Sequence, residues 1–269
     1  MSKTISIASC KGGVGKSTST INLGTALSVL GEKVLVVDND PQSNLTTYLG
    51  LKSNIIHPIP TLIKAIMDNI ADNKLKDMVK ESIIKTPHLD VIPSHISMAD
   101  LEIGIAMMTK KAYVLKRILD CIKDQYDYIL IDTLPSLGIF AVNSLTASDS
   151  VIIPVETQIG GLEGFDQIIA TINMVKRHFN EDLQIEGVIM TRYLTRTNLC
   201  KSIHKYLQEE CDGKIKLFEP PIPQTVKIGE SQDNCISIIE HAKSHVATQA
   251  YESIAREVLK ASDESFTNY

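Results

Sequence analysis

The chain has no tryptophan, and only 5% of its 269 residues are aromatic. Single-strand nucleic-acid binders stack bases on aromatic rings, so that class is disfavoured. An excess of positive charge is also missing, with 27 Lys and Arg against 32 Asp and Glu. A globally basic nucleic-acid binder is thereby excluded, and any phosphate-contacting surface must be local. No apolar run reaches the roughly 18 residues of a membrane span, and no basic and apolar secretory signal opens the sequence. The expected compartment is the cytoplasm. The five cysteines (Cys10, Cys121, Cys200, Cys211, Cys235) are odd in number and scattered without a CxxC pair, which fits reduced thiols rather than a disulfide framework or a zinc site. The histidines lie apart, and the pair at i, i+4 spacing, His241 and His245, lacks an HExxH carboxylate.

What is present is apolar content, 43% of the chain, enough at this length for one large core. Short β-branched runs alternate with segments of helical period. Strands are expected at Thr4–Ser9, Lys33–Asp38, Leu89–Pro93, Tyr128–Asp132, Ser150–Pro154, Ile185–Thr191 and Ile215–Phe218. Helices are expected at Thr18–Leu30, Thr61–Asn69, Ala112–Lys123, Leu162–Phe179, Asn198–Glu210 and Val246–Ala261. The alternation predicts an α/β fold, a doubly wound, mostly parallel sheet with helices on both faces and ligands at the strand C-termini. A single domain is expected over 1–261, followed by a polar, flexible tail at 262–269.

Chemistry concentrates where the first strand ends, in Cys10-Lys11-Gly12-Gly13-Val14-Gly15-Lys16-Ser17-Thr18. Glycines let the backbone wrap phosphates with N–H groups pointing inward, and the following helix adds its positive end. Lys16 is placed to reach the β and γ phosphates of ATP, and the Ser17 hydroxyl to join a Mg2+ shell. The strict pattern GxxxxGK[ST] is missed, because its first glycine falls on Cys10, and a second lysine, Lys11, stands beside it. Two apolar strands also end in carboxylates, Val34–Val37 before Asp38-Asn39-Asp40 and Tyr128–Ile131 before Asp132. In a parallel sheet both open on the edge that carries the glycine loop, so Asp132 is assigned to the Mg2+ shell and Asp40 to the metal through water and to orienting the attacking water. A strand-end aspartate also commonly caps the next turn, the role assigned to Asp38.

The segments KGGVGKST (11–18), VVDNDPQSN (36–44) and YILIDTLPSLG (128–138) resemble the deviant Walker A, A' and B motifs of the ParA/MinD superfamily of P-loop NTPases. DPQSN and the RTNL at 196–199 resemble its ParA/Soj branch of partition ATPases, and the likeness spans Ile5 to about Tyr251. The resemblance implies a slow ATPase that forms an ATP-dependent sandwich homodimer, with Lys11 crossing to the partner's phosphates. It implies non-specific binding of double-stranded DNA by that dimer, release on hydrolysis stimulated by a ParB-type partner, and a nucleoid-associated role in plasmid or chromosome partitioning. Arg196 matches the DNA-contacting arginine of the RTN segment, with Lys201 and Lys227 adding positive charge nearby. A solvated helix face with ordinary lysines is the plainer reading of that region. Pro223 and Gln224 match the adenine side. The chain departs from the family at Leu194 (commonly Asp), at Gln224 (Arg in IPRNVR) and at Leu134 (the first proline of Asp-x-Pro-Pro). A MinD-like or other positioning ATPase not acting through DNA is the alternative. A membrane-bound form needs a basic amphipathic C-terminal anchor, whereas 262–269 is acidic.

Overall fold

The computed structural model describes residues 2–53, 55–211 and 213–266. Its frame is one eight-stranded sheet. The strands are β1 (Lys3–Ile7), β2 (Val34–Asn39), β3 (Ile84–Lys85), β4 (Asp90–Ile92), β5 (Tyr128–Thr133), β6 (Ser150–Glu156), β7 (Gln184–Thr191) and β8 (Leu217–Phe218). They lie in the order β3-β4-β2-β5-β1-β6-β7-β8, and every pairing is parallel except that of β3 with β4. Each strand expected from the sequence forms within two residues of its expected ends. Only the antiparallel edge strand β3, two residues long, was not anticipated.

Among the described residues, twelve α-helices cover the sheet. They are α1 (Lys16–Val29), α2 (Asn44–Tyr48), α3 (Ile59–Met67), α4 (Asp72–Ser82), α5 (Glu102–Ala106), α6 (Val114–Leu119), α7 (Ile139–Thr146), α8 (Ile159–His178), α9 (Asn198–Cys211), α10 (Val226–Asp233), α11 (Ile238–His241) and α12 (Val246–Phe266). Successive strand residues point to opposite faces, and both faces are apolar, so both are buried. Ile5, Ile7, Val34, Val36 and Leu130 pack on α1 and α12 through Leu27, Ala250 and Ile254. Their alternates Leu35, Val37, Ile129 and Ile131 meet α3, α4 and α6. Val151, Ile153, Val188 and Met190 meet α8 and α9 on that same side of the sheet.

Helix α1 lies close to the sheet because Gly24 has no side chain. A Cβ there would meet Leu89 Cδ2 at 3.1 Å and Val36 Cγ1 at 3.2 Å. The helix expected over 112–123 begins later, at Val114, because Asn143 from α7 caps it: its Oδ1 accepts from the N–H groups of Val114 (2.9 Å) and Leu115 (3.1 Å). Helix α12 runs through Phe266, beyond the expected domain end at Ala261, and residues 267–269 of the expected tail lie outside those described. Among the described residues, no helix is long and apolar enough to cross a membrane.

Candidate functional site

The parallel strands β1, β2, β5, β6 and β7 all end on one edge, and the sequence-derived residues of the glycine loop and both carboxylate strands gather there. After β1 the chain turns through Lys11–Gly15 into α1. Gly13 and Gly15 hold φ of +76° and +86°, the left-handed region that glycine enters without steric penalty. Gly15 is the N-cap of α1 and provides no side-chain cap, so the positive end of the helix is open to an anion. Thr191 at the end of β7 anchors the loop by donating from Oγ1 to the Val14 carbonyl at 2.9 Å.

A cavity of about 610 Å3 opens over this loop. Gly12, Gly13, Gly15, Lys16, Ser17 and Thr18 form one wall, and Asp40 joins them at the end of β2. Pro223, Gln224, Thr225 and Gln232 form the facing wall, and Gln232 donates to Thr18 Oγ1 at 2.9 Å across the rim. Val14 is buried behind the loop rather than in the cavity wall. The Lys16 ammonium donates to the Lys11 carbonyl at 3.1 Å. Burial lowers its pKa, and the charges of Asp132 and Asp40 oppose that shift.

Asp132 sits beneath the cavity, level with Ile7 of β1 and Asp38 of β2 in the sheet register. It is fully buried, and neither carboxylate oxygen has a hydrogen-bond partner among the described residues. Burial first, then the charge of Asp38, pushes its pKa well above the ordinary range, while the Ser17 hydroxyl and Lys16 offset part of the rise. A buried, donor-free carboxylate beside a serine hydroxyl fits the oxygen shell of a hard divalent cation. Its neighbour Asp38 differs: it accepts from Thr46 N (2.9 Å), Thr46 Oγ1 (2.6 Å) and Asp40 N (3.3 Å). Its pKa is pushed up to about 6, chiefly by burial. These bonds make Asp38 the staple of the turn that carries Asp40, whose Oδ1 accepts from Gln42 N at 2.8 Å.

Lys11 is the loop residue that turns away. Its Nζ lies 3.2 Å from Oε2 of Glu156, and Oε1 of Glu156 lies 3.2 Å from Nη1 of Arg192. Neither Glu156 nor the placement of Arg192 at the cavity is anticipated by the sequence. Glu156 carries the signal that found Asp132, a carboxylate ending a buried strand. Gln232 gave no such signal, because it lies on a short helix of mixed polarity.

Arg196 and Lys201 are exposed in the β7–α9 connection and the first turn of α9, with no carboxylate partner among the described residues. Lys227, at the start of α10, is instead paired with Glu230 at 2.7 Å. An isolated bridge joins the Arg196 segment to the cavity wall: Tyr193 N donates to the Ile222 carbonyl at 3.0 Å and Gln224 N to the Tyr193 carbonyl at 3.1 Å. Leu134, the departure in the β5–α7 loop, packs against the core under α3 and α6.

A glycine loop between a central parallel strand and a helix, with carboxylates at neighbouring strand ends, defines a P-loop nucleoside triphosphatase. The model of a family described as "AAA domain" matches residues 2–185. The chain is 37% identical over 263 residues to the sporulation initiation inhibitor protein Soj of Bacillus subtilis, covering 96% of this chain and 98% of that protein. It is 34% identical over 261 residues to the chromosome partitioning protein ParA of Caulobacter vibrioides, with 96% and 94% covered. Among solved structures, cobyrinic acid a,c-diamide synthase from Mycobacterium smegmatis, with bound ATP analogue and magnesium, superposes with a TM-score of 0.82 at 26% identity, covering 97% of this chain and 95% of that one. The chain belongs to the ParA/Soj-type partition ATPases of the ParA/MinD superfamily.

Proposed function

We infer that the chain is a ParA-type switch in which two copies close around ATP and Mg2+ and the closed pair holds double-stranded DNA without sequence preference. Hydrolysis, stimulated by a ParB-type partner, then releases the DNA, so that plasmid or chromosome cargo is distributed over the nucleoid. The observation that carries this reading is Lys11. It belongs to the phosphate loop, yet its side chain turns out of the cavity that the loop lines and stays 32% exposed. A cation built into the loop without serving its own pocket is available to the phosphates of a second copy, where it would stabilise charge developing in the transition state.

Within each subunit, the loop N–H groups, the α1 N-terminus and Lys16 bind the phosphates. Ser17, Asp132 and Asp40 would hold Mg2+, which would neutralise phosphate charge. Pro223 and Gln224 flank the base, and Asp40 orients the attacking water. Intrinsic turnover is slow on this reading, because water activation is completed only when the partner protein acts. The chromosome-partitioning role in the name of the Caulobacter relative supports the DNA role. So does the Tyr193 bridge, which links the cavity wall to the segment carrying Arg196.

Binding to random duplex DNA at two salt concentrations, with ADP, ATP or no nucleotide, tests the reading. The expected result is ATP-dependent, salt-sensitive binding that Arg196→Ala weakens. No binding under any condition would overturn the DNA role and move the cargo to a protein scaffold or a membrane.

A further inference from the structure

One carboxylate outside the nucleotide cavity connects the phosphate loop to the cavity wall. Glu156 ends β6 with its side chain 6% exposed, one oxygen on Lys11 and the other on Arg192. Arg192 lines the cavity, and its backbone is left-handed, with φ of +51°. A non-glycine residue keeps that conformation where its surroundings fix it. Here Thr157 Oγ1 donates to the Arg192 carbonyl at 3.1 Å. Lys11 lies against the first turns of α8, where glycines leave room for it. A Cβ on Gly160 would stand 3.3 Å from Lys11 Nζ, and one on Gly164 would stand 3.4 Å from Lys11 Cβ.

We propose that Glu156 is a positioning residue that holds Lys11 and Arg192 within one subunit until a triphosphate-loaded second copy draws Lys11 across. The destination of Lys11 rests on the sandwich-dimer reading above; its restraint by Glu156 does not. Two cations share a single carboxylate in the unpaired subunit, whereas a triphosphate offers more charge and more acceptor oxygens. Opposing the exchange is the burial of Glu156, which loses a partner when Lys11 leaves. This opposition sets a threshold. A diphosphate lacks the terminal group that would draw Lys11 off, so the carboxylate makes pairing selective for ATP over ADP.

Acetylation of lysine amines in the nucleotide-free protein, followed by peptide mass spectrometry, reports directly on Lys11. Parent, Glu156→Gln, Glu156→Asp and the control Glu163→Gln, an exposed carboxylate on α8, are compared. Sedimentation of the same proteins with a non-hydrolysable ATP analogue or with ADP reports on pairing. Loss of the partner charge should speed Lys11 acetylation by about three- to tenfold in Glu156→Gln. Glu156→Asp should move it less and Glu163→Gln not at all. Glu156→Gln should also pair at lower protein concentration with the analogue and begin to pair with ADP. Equal Lys11 acetylation in the parent and both Glu156 variants overturns the proposal, as does unchanged ADP discrimination. A parent that stays monomeric with the analogue overturns the sandwich-dimer reading and the release step with it, while the acetylation comparison still decides whether Glu156 restrains Lys11.

Discussion

At the scale of single residues, the site is built on electrostatic tension. Asp132 has both oxygens buried without a donor and the charge of Asp38 beside it in the next strand. Replacing it by Asn removes the like-charge repulsion while keeping the shape, so Asp132→Asn should stabilise the nucleotide-free protein by about 1–2 kcal/mol. The same variant should lose the rise in melting temperature that Mg2+ and ATP give the parent, and chelating the metal should remove that rise in the parent too. Thermal melts with and without nucleotide and chelator check both halves. The Asp pair was legible in the sequence because a carboxylate that ends a buried apolar strand is costly unless it has work to do. Glu156 obeys the same rule after Val151–Val155 and was open to the same reading. The capping role expected of Asp38 matches its bonds: Thr46, eight residues on, supplies two of the three that occupy it. What the sequence does not carry is the direction in which Lys11 points, since that depends on a strand 145 residues away.

At the scale of elements, two short pieces of backbone govern the cavity. The β6–α8 connection turns so sharply that a Cβ on Gly161 would collide with the Glu156 carbonyl. The clash is with main chain rather than a flexible side chain, so Gly161→Ala should destabilise the fold by about 2–3 kcal/mol, read from urea unfolding. The second piece is α10, whose N-cap Thr225 accepts from Lys227 N at 3.2 Å while also lining the cavity. Thr225→Ala should lower stability by about 1 kcal/mol and weaken nucleotide binding as the first turn of α10 loosens; calorimetric titration with ATP checks the second effect. Long elements with a clear period were legible: the central strands, α1, α8, α9 and α12. Those missed were α2, α4, α5, α7, α10 and α11. Several of them span barely one or two turns, too short for periodicity to show, and α4 is polar over most of its surface, with Leu75 and Val79 turned inward.

At the scale of the whole molecule, a chain with net charge -5 must concentrate its cations to hold DNA. Of these cations Arg196 and Lys201 are exposed with no carboxylate partner among the described residues, while Lys227 is already matched by Glu230. Each free cation that contacts a phosphate releases about one counterion, so Arg196→Ala should reduce the slope of log affinity against log salt by about 1. Lys227→Ala should leave the slope nearly unchanged. Binding titrations across a salt series separate the two.

Both margins of the sheet are strands of only two residues, β3 and β8. They leave little unpaired ladder on which another chain could add a strand. The protein can therefore reach high local concentration with little tendency to stack edge to edge into fibrils.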